Sequence, residues 1–155
     1  GTLTVAVVLQ DSREQKPLDF PLDATFTAVR IETLPVGDYA CEFRDGTRPP
    51  LYFERKSLAD LFGTMTSGYP RFKREVQKAK ELRVALVLLI EGSLSTVLQG
   101  YEHSQFAGES CVQKLFTLWM KYDLMPVFCA NRSEMSRYIR ETYGVLGRMH
   151  VVGEE

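Results

Sequence analysis

Two carboxylates and an amine stand out by their spacing: Asp38, then fifteen residues, then Glu54-Arg55-Lys56. Successive side chains of an extended strand alternate between faces, so Glu54 and Lys56 project to one side and Arg55 to the other. If Asp38 lies beside Glu54, the pair can hold a divalent cation while the Lys56 ammonium reaches the water that the cation activates. That set suits phosphodiester hydrolysis, whose transition state gathers negative charge on the oxygens around phosphorus. Lys56 would orient the water or neutralise the charge. Upstream, Asp11-Ser12-Arg13-Glu14 offers two further carboxylates, to complete the shell of one ion or hold a second, with Arg13 gripping phosphate. An Asp followed at a distance by Glu-x-Lys is a weak signal alone; the surrounding elements decide its worth.

Leu3 to Leu9 is an almost unbroken aliphatic and β-branched run, which predicts a buried strand ending at Asp11. Pro17 and Pro21 make residues 12–23 unfit for a helix, and Thr25 to Leu34 alternates Phe26, Ala28 and Ile31 as a second strand would. Asp38 to Phe43 and Leu51 to Lys56 flank Arg44-Asp45-Gly46-Thr47, where Asp-Gly predicts a hairpin with Pro49-Pro50 confined to its loop. At Ser57 the period becomes helical. Ser57 and Asp60 resemble a capping box, and Leu58, Leu61, Phe62 and Met65 fall on one face. Pro70 opens a second helix with Phe72, Val76, Ala79 and Leu82 on one side and Arg71, Arg74, Lys78 and Glu81 on the other. Val84 to Ile90 reads as a strand covered on both faces, Val112 to Met120 as a helix, Pro126 to Cys129 as a strand and Met135 to Ile139 as a last helix. The order predicts an α/β fold, a mixed β-sheet flanked by helices.

Composition fits one domain over residues 1–155: 45% of the residues are hydrophobic and 25% charged, and the length is too short for two domains of typical size. The longest apolar run, Val84 to Ile90, falls far below the roughly 20 residues that cross a bilayer, so no membrane segment is expected. Gly1-Thr2-Leu3-Thr4 has no basic stretch followed by an apolar one, and no secretory signal is expected either. Cys41, Cys111 and Cys129 are an odd set without a CxxC pair, which fits a reducing, intracellular setting better than a disulfide framework. The net charge of −1 predicts no general attraction to nucleic acid. Its distribution does: residues 44–83 hold ten Lys or Arg against five Asp or Glu, while the remainder holds nine against fifteen.

Gly37-Asp38-Tyr39, Glu54-Arg55-Lys56-Ser57 and Asp60-Leu61 occur in that order, on a hairpin leading into a helix, after Asp11-Ser12-Arg13-Glu14. This resembles the XPF-type structure-specific endonuclease domain of the PD-(D/E)xK nuclease superfamily, whose pattern is D-x-R-E, then G-D, then E-R-K-x-x-x-D. Pro70-Arg71-Phe72, Leu88-Leu89-Ile90-Glu91-Gly92 and the segment from Gln113 to Ile139 extend the likeness over nearly the whole chain. The resemblance implies a restriction-endonuclease-like fold. It implies that Asp38 and Glu54 bind metal, that Asp11 and Glu14 complete the site, and that Lys56 is the catalytic lysine. Arg13 and Arg55 match arginines at the active-site edge. Implied too are Mg²⁺ or Mn²⁺, a branched, flapped or single-strand/duplex junction DNA substrate in repair or recombination, and a homodimer or heterodimer through the late helices. The compartment would be cytoplasm or nucleoid in a prokaryote or phage, and nucleus in a eukaryote. Residues 16–23 are short and proline-bearing and no helix-hairpin-helix module is expected after residue 147, both departures from the eukaryotic relatives, while Asp-x-Arg-Glu-x-x-Pro-Leu-Asp-Phe over residues 11–20 resembles the compact single-domain prokaryotic and phage forms. Competing readings are a Holliday-junction resolvase or restriction-type nuclease of the same superfamily, or a non-catalytic DNA-binding subunit. The intact Asp11, Glu14, Asp38, Glu54 and Lys56 disfavour the last.

Other residues keep plainer readings. Asp60 is a helix-capping residue before it is catalytic. Arg55 has its side chain available for a salt bridge to Asp11 or Asp60 or for phosphate, and its backbone carbonyl for metal. Arg71, Lys73 and Arg74 form either a solvated face or, beside a nuclease site, phosphate contacts. Tyr69 stacks on a base or packs on the sheet. Trp119 is read as core among Leu115, Phe116 and Met120. His103 and His150 lie in no metal-ligand spacing.

Overall fold

The computed structural model describes residues 6–150, so the expected start of the first strand at Leu3 lies outside the described residues. Six strands form one sheet: β1 (Ala6–Asp11), β2 (Phe26–Glu32), β3 (Tyr39–Phe43), β4 (Leu51–Lys56), β5 (Ala85–Glu91) and β6 (Met125–Cys129), in the order β2-β1-β3-β4-β5-β6. β3 runs antiparallel to both β1 and β4, and every other pairing is parallel. The carboxyl ends of β1, β4, β5 and β6 therefore meet the amino end of β3 along one edge. In open α/β sheets that edge is where ligand sites form. Asp11, Asp38 and Glu54 to Lys56 all belong to it.

Five helices cover the sheet: α1 (Leu58–Met65), α2 (Tyr69–Glu81), α3 (Leu94–Gln99), α4 (Gly108–Tyr122) and α5 (Arg132–Met149). The alternation of β5 explains the layers. Leu86, Leu88 and Ile90 pack with Leu61, Phe72, Val76, Val97 and Leu115 from α1 to α4. Val87 and Leu89 face the other way, onto Met135, Ile139 and Tyr143 of α5. A strand buried on both sides must read as a continuous apolar run, and β5 does. Ser57 caps α1, its hydroxyl accepting the Asp60 amide at 3.1 Å.

Several expectations need correction. The short helix α3 is an addition to the expected order, and α5 is far longer than Met135 to Ile139, because its buried stripe runs on through Tyr143 and Gly147. Trp119 is not core: it is 39% exposed and Met120 is 71% exposed, while Leu115 and Leu118 take the inward positions of α4. β2 is an edge strand that leaves Val29 and Ile31 exposed, and the sheet's opposite face here carries Arg30, Glu32, Glu42 and Arg48 in an ion-pair network instead of a helix.

Candidate active site

The site begins with a turn. Gly37 has φ +73°, and a Cβ placed on it would stand 3.0 Å from the Phe53 carbonyl oxygen, so glycine alone fits without strain. The turn delivers Asp38 against β4. Its amide donates to the Phe53 carbonyl at 2.7 Å, and its Oδ2 accepts the Arg55 amide at 2.8 Å, so one residue grips the backbone on both sides of Glu54. Glu54 is only 7% exposed. Lys56, two residues on and on the same face, places Nζ 3.4 Å from Glu54 Oε2 and 5.0 Å from the centre of the Phe72 ring.

A further carboxyl comes from α2. Glu75 Oε1 accepts the Gly37 amide at 3.3 Å, and Glu75 lines the same cleft as Glu54, close enough for its charge to act on that carboxyl. Sequence reasoning passes over Glu75. It is one charge among many on an amphipathic helix, and only its place one turn after Arg71 could draw notice.

This crowding raises the carboxyls. Burial, with the charges of Glu14 and Glu75, pushes Asp38 up to about 6, against the pull of the Arg55 amide and Lys56. Burial and the charges of Asp38 and Glu75 drive Glu54 well above the usual carboxylate range, and Lys56 offsets only part of this. Negative charge at this point therefore lacks full compensation. Hard oxygen donors on an under-neutralised pair, Glu54 buried and Asp38 half-buried, suit Mg²⁺ or Mn²⁺, so the residues fit a divalent cation. Among the described residues, no three Asp, Glu, His or Cys side chains converge closely enough to enclose a metal as they stand. Asp38 and Glu54 would supply part of a shell, and the Arg55 amide holds one of the Asp38 oxygens.

Above the carboxylates lies a cleft of about 380 Å³ whose wall includes Asp11, Arg13, Gly37, Asp38 and Glu54 from the sheet edge and Arg71, Arg74, Glu75 and Lys78 from α2. A neighbouring cleft of about 470 Å³ shares Arg71 and Glu75 and adds Lys56, Asp60 and Phe72. Residues 71, 74, 75 and 78 recur every three to four positions, so one face of α2 overhangs the site. Lys73 lies on the opposite face, its Nζ 6.0 Å from the Tyr122 ring centre. The geometry does not bring it to the cleft with Arg71 and Arg74.

The ERCC4 domain family model matches residues 10–142. The chain belongs to the ERCC4 domain family. Its fold is similar to XPF from Aeropyrum pernix, at 17% identity and a TM-score of 0.66, over 93% of this chain and 66% of that one. The XPF from Aeropyrum pernix in complex with DNA gives 18%, 0.64, 95% and 67% for the same quantities. At such identities the likeness shows the restriction-endonuclease-like fold, and this chain spans about two thirds of those proteins' length. Among curated proteins, none matches the sequence.

The remaining motif residues of this ERCC4 domain have partners of their own. Both oxygens of Asp11 are taken, by the Arg13 guanidinium at 2.8 and 3.1 Å and by the amides of Leu34 and Arg13. Burial works against its charge, but those donors outweigh it and hold the carboxyl below its ordinary range. Asp11 thus organises the turn and aims Arg13, which stays largely exposed at the cleft. Glu14 meets Arg55 in a two-point ion pair, at 2.7 and 3.1 Å, on the α5 side of the sheet. Of the partners considered for Arg55, neither Asp11 nor Asp60 takes it, and its guanidinium is spent on Glu14 instead of facing the cleft. Its backbone amide is the group that meets Asp38.

Asp60 lies at the N-terminal turn of α1, as expected, and its side chain borders the Lys56 cleft. Tyr69 packs against the core with the Lys114 ammonium 4.0 Å from its ring centre. His150 stacks on Phe43 and reaches Asp45 at 2.8 Å, and His103 is exposed beside Glu102. A roomier cavity, about 510 Å³, opens beside α5 between Asp19, Asp23, Arg132 and Arg140. Its Arg132 is tied to the Lys16 and Pro17 carbonyls and its Arg140 to Asp23, and it holds no facing carboxylate pair with a lysine. Size and chemistry part company here, and the chemistry lies at the sheet edge.

Proposed function

We propose that this ERCC4 domain is a divalent-metal-dependent endonuclease that hydrolyses phosphodiester bonds in branched, flapped or junction DNA. The observation that carries the reading is the half-buried Asp38 at the sheet edge, gripping the backbone on both sides of the buried Glu54, with the Lys56 ammonium 3.4 Å from Glu54. Family membership and the likeness to an XPF in complex with DNA support it.

In this mechanism Asp38 and Glu54, with the Arg55 carbonyl as a further candidate oxygen, would hold Mg²⁺ or Mn²⁺, and Asp11 could join them only by yielding Arg13. The cation supplies Lewis acidity toward the phosphate and lowers the pKa of water. Lys56, pinned between Glu54 and the Phe72 ring, orients the attacking water and meets the charge that builds on phosphorus. The water oxygen bonds to phosphorus as the bond to the 3′ oxygen breaks, leaving 5′-phosphate and 3′-hydroxyl ends. Arg13, Arg71, Arg74 and Lys78 line the path of the phosphate backbone.

A panel of flap, fork, four-way junction and linear duplex DNA, incubated with the chain and Mg²⁺, tests the substrate class. Cleavage concentrated at flap or fork supports this reading; preference for four-way junctions or linear duplex transfers the assignment to a resolvase or restriction-type activity.

A further inference from the structure

Glu75 occupies an electrostatically unexpected place. Arg71 and Lys78 flank it on α2 at one-turn spacings, yet among the described residues it forms an ion pair with neither. Instead Oε1 takes the Gly37 amide at 3.3 Å, in the cleft that Asp38 and Glu54 also line. Gly37 immediately precedes Asp38. One side chain thus bonds the turn that presents one proposed metal-binding carboxylate and shares a cleft with the other. It also borders both clefts at the sheet edge.

We infer that Glu75 is a positioning residue for metal binding: it holds the Gly37 turn so that Asp38 faces the cation it would share with Glu54, without ligating that cation itself. The inference rests on the metal-binding reading of Asp38 and Glu54. Hydrogen bonding, not charge, is what this role requires. A glutamine at position 75 keeps an oxygen for the Gly37 amide, whereas alanine cannot accept that hydrogen bond. Partners that orient metal ligands typically contribute about 10- to 100-fold to metal affinity.

The test is Mn²⁺ binding by isothermal titration calorimetry on the wild type, Glu75→Gln and Glu75→Ala, with melting temperatures recorded without and with Mn²⁺. Alanine is the best helix former, so Glu75→Ala retains α2, and circular dichroism verifies this. The expected pattern is Mn²⁺ affinity within about threefold of wild type for Glu75→Gln and at least about tenfold weaker for Glu75→Ala. The Mn²⁺-induced rise in melting temperature shrinks only in the alanine variant. Equal loss in both variants overturns the inference, because the carboxylate charge or direct ligation would then be what matters. Unchanged affinity in both also overturns it, leaving Glu75 a packing residue. If the wild type itself binds no Mn²⁺, the metal reading of Asp38 and Glu54 fails and takes this inference with it, a result distinct from the other two.

Discussion

Arg55 and Glu14, far apart in the chain, form a two-point ion pair whose side chains are only 7% and 5% exposed. A pair this enclosed is costly to break from one side, since the survivor keeps a buried, unmatched charge. Glu14→Ala should therefore destabilise the fold by about 3–5 kcal/mol in chemical denaturation. A loss within the range of an exposed pair, about 1 kcal/mol or less, would show that the enclosure is not maintained in solution.

Asp38 gives a pH dependence of definite sign. In metal-free protein its carboxyl is raised from 3.8 to about 6 by burial, so the folded state favours the neutral form. The stability it contributes is complete below pH 4 and is lost as pH rises through 6. In EDTA, Asp38→Asn, which keeps an oxygen for the Arg55 amide, should melt above wild type at pH 7.5, with the gap closing near pH 4. Thermal melts of both proteins across that range check this, and a constant gap would refute it.

Much of this architecture is readable in the chain itself, because the alternation of β5, the Asp-Gly hairpin and the capping serine of α1 are local signals that the tertiary fold reinforces. The order Asp11, Asp38, Glu54, Lys56 also marks the strand-edge cluster. What escapes the sequence are relations set by packing. Glu75 enters the site through the docking of α2, the occupancy of Asp11 depends on how Arg13 folds back, and Arg55 finds Glu14 across the sheet. Trp119 reads as buried because α4 is apolar around much of its circumference, and only the packing of Leu115 and Leu118 chooses its inner face.

Gly37 should tolerate no side chain. A left-handed backbone costs a non-glycine residue about 1–2 kcal/mol, and the 3.0 Å approach to the Phe53 carbonyl adds to that. Gly37→Ala is expected to lower stability by at least that amount and to reduce cleavage more than melting temperature alone accounts for, because Asp38 moves with the turn. Retained activity per folded molecule would show that the turn does not position Asp38.

The overhanging face of α2 predicts a split between neighbours. Arg71→Ala and Arg74→Ala should weaken DNA binding and lower the slope of log K against log salt by about 0.9 for each phosphate that is no longer neutralised. Lys73→Ala, directed at Tyr122, should change neither. Fluorescence anisotropy at several salt concentrations separates the three, and an equal effect from Lys73 would contradict the orientation of the helix.

The most direct measurement is single-turnover cleavage of a labelled flap DNA with Mg²⁺, comparing the wild type with Asp38→Asn and Glu54→Gln, with DNA affinity determined alongside. Wild-type cutting that vanishes in both variants while affinity stays within a few-fold is the predicted result. Cutting by either variant at the wild-type rate would contradict the assignment of these carboxylates to the reaction.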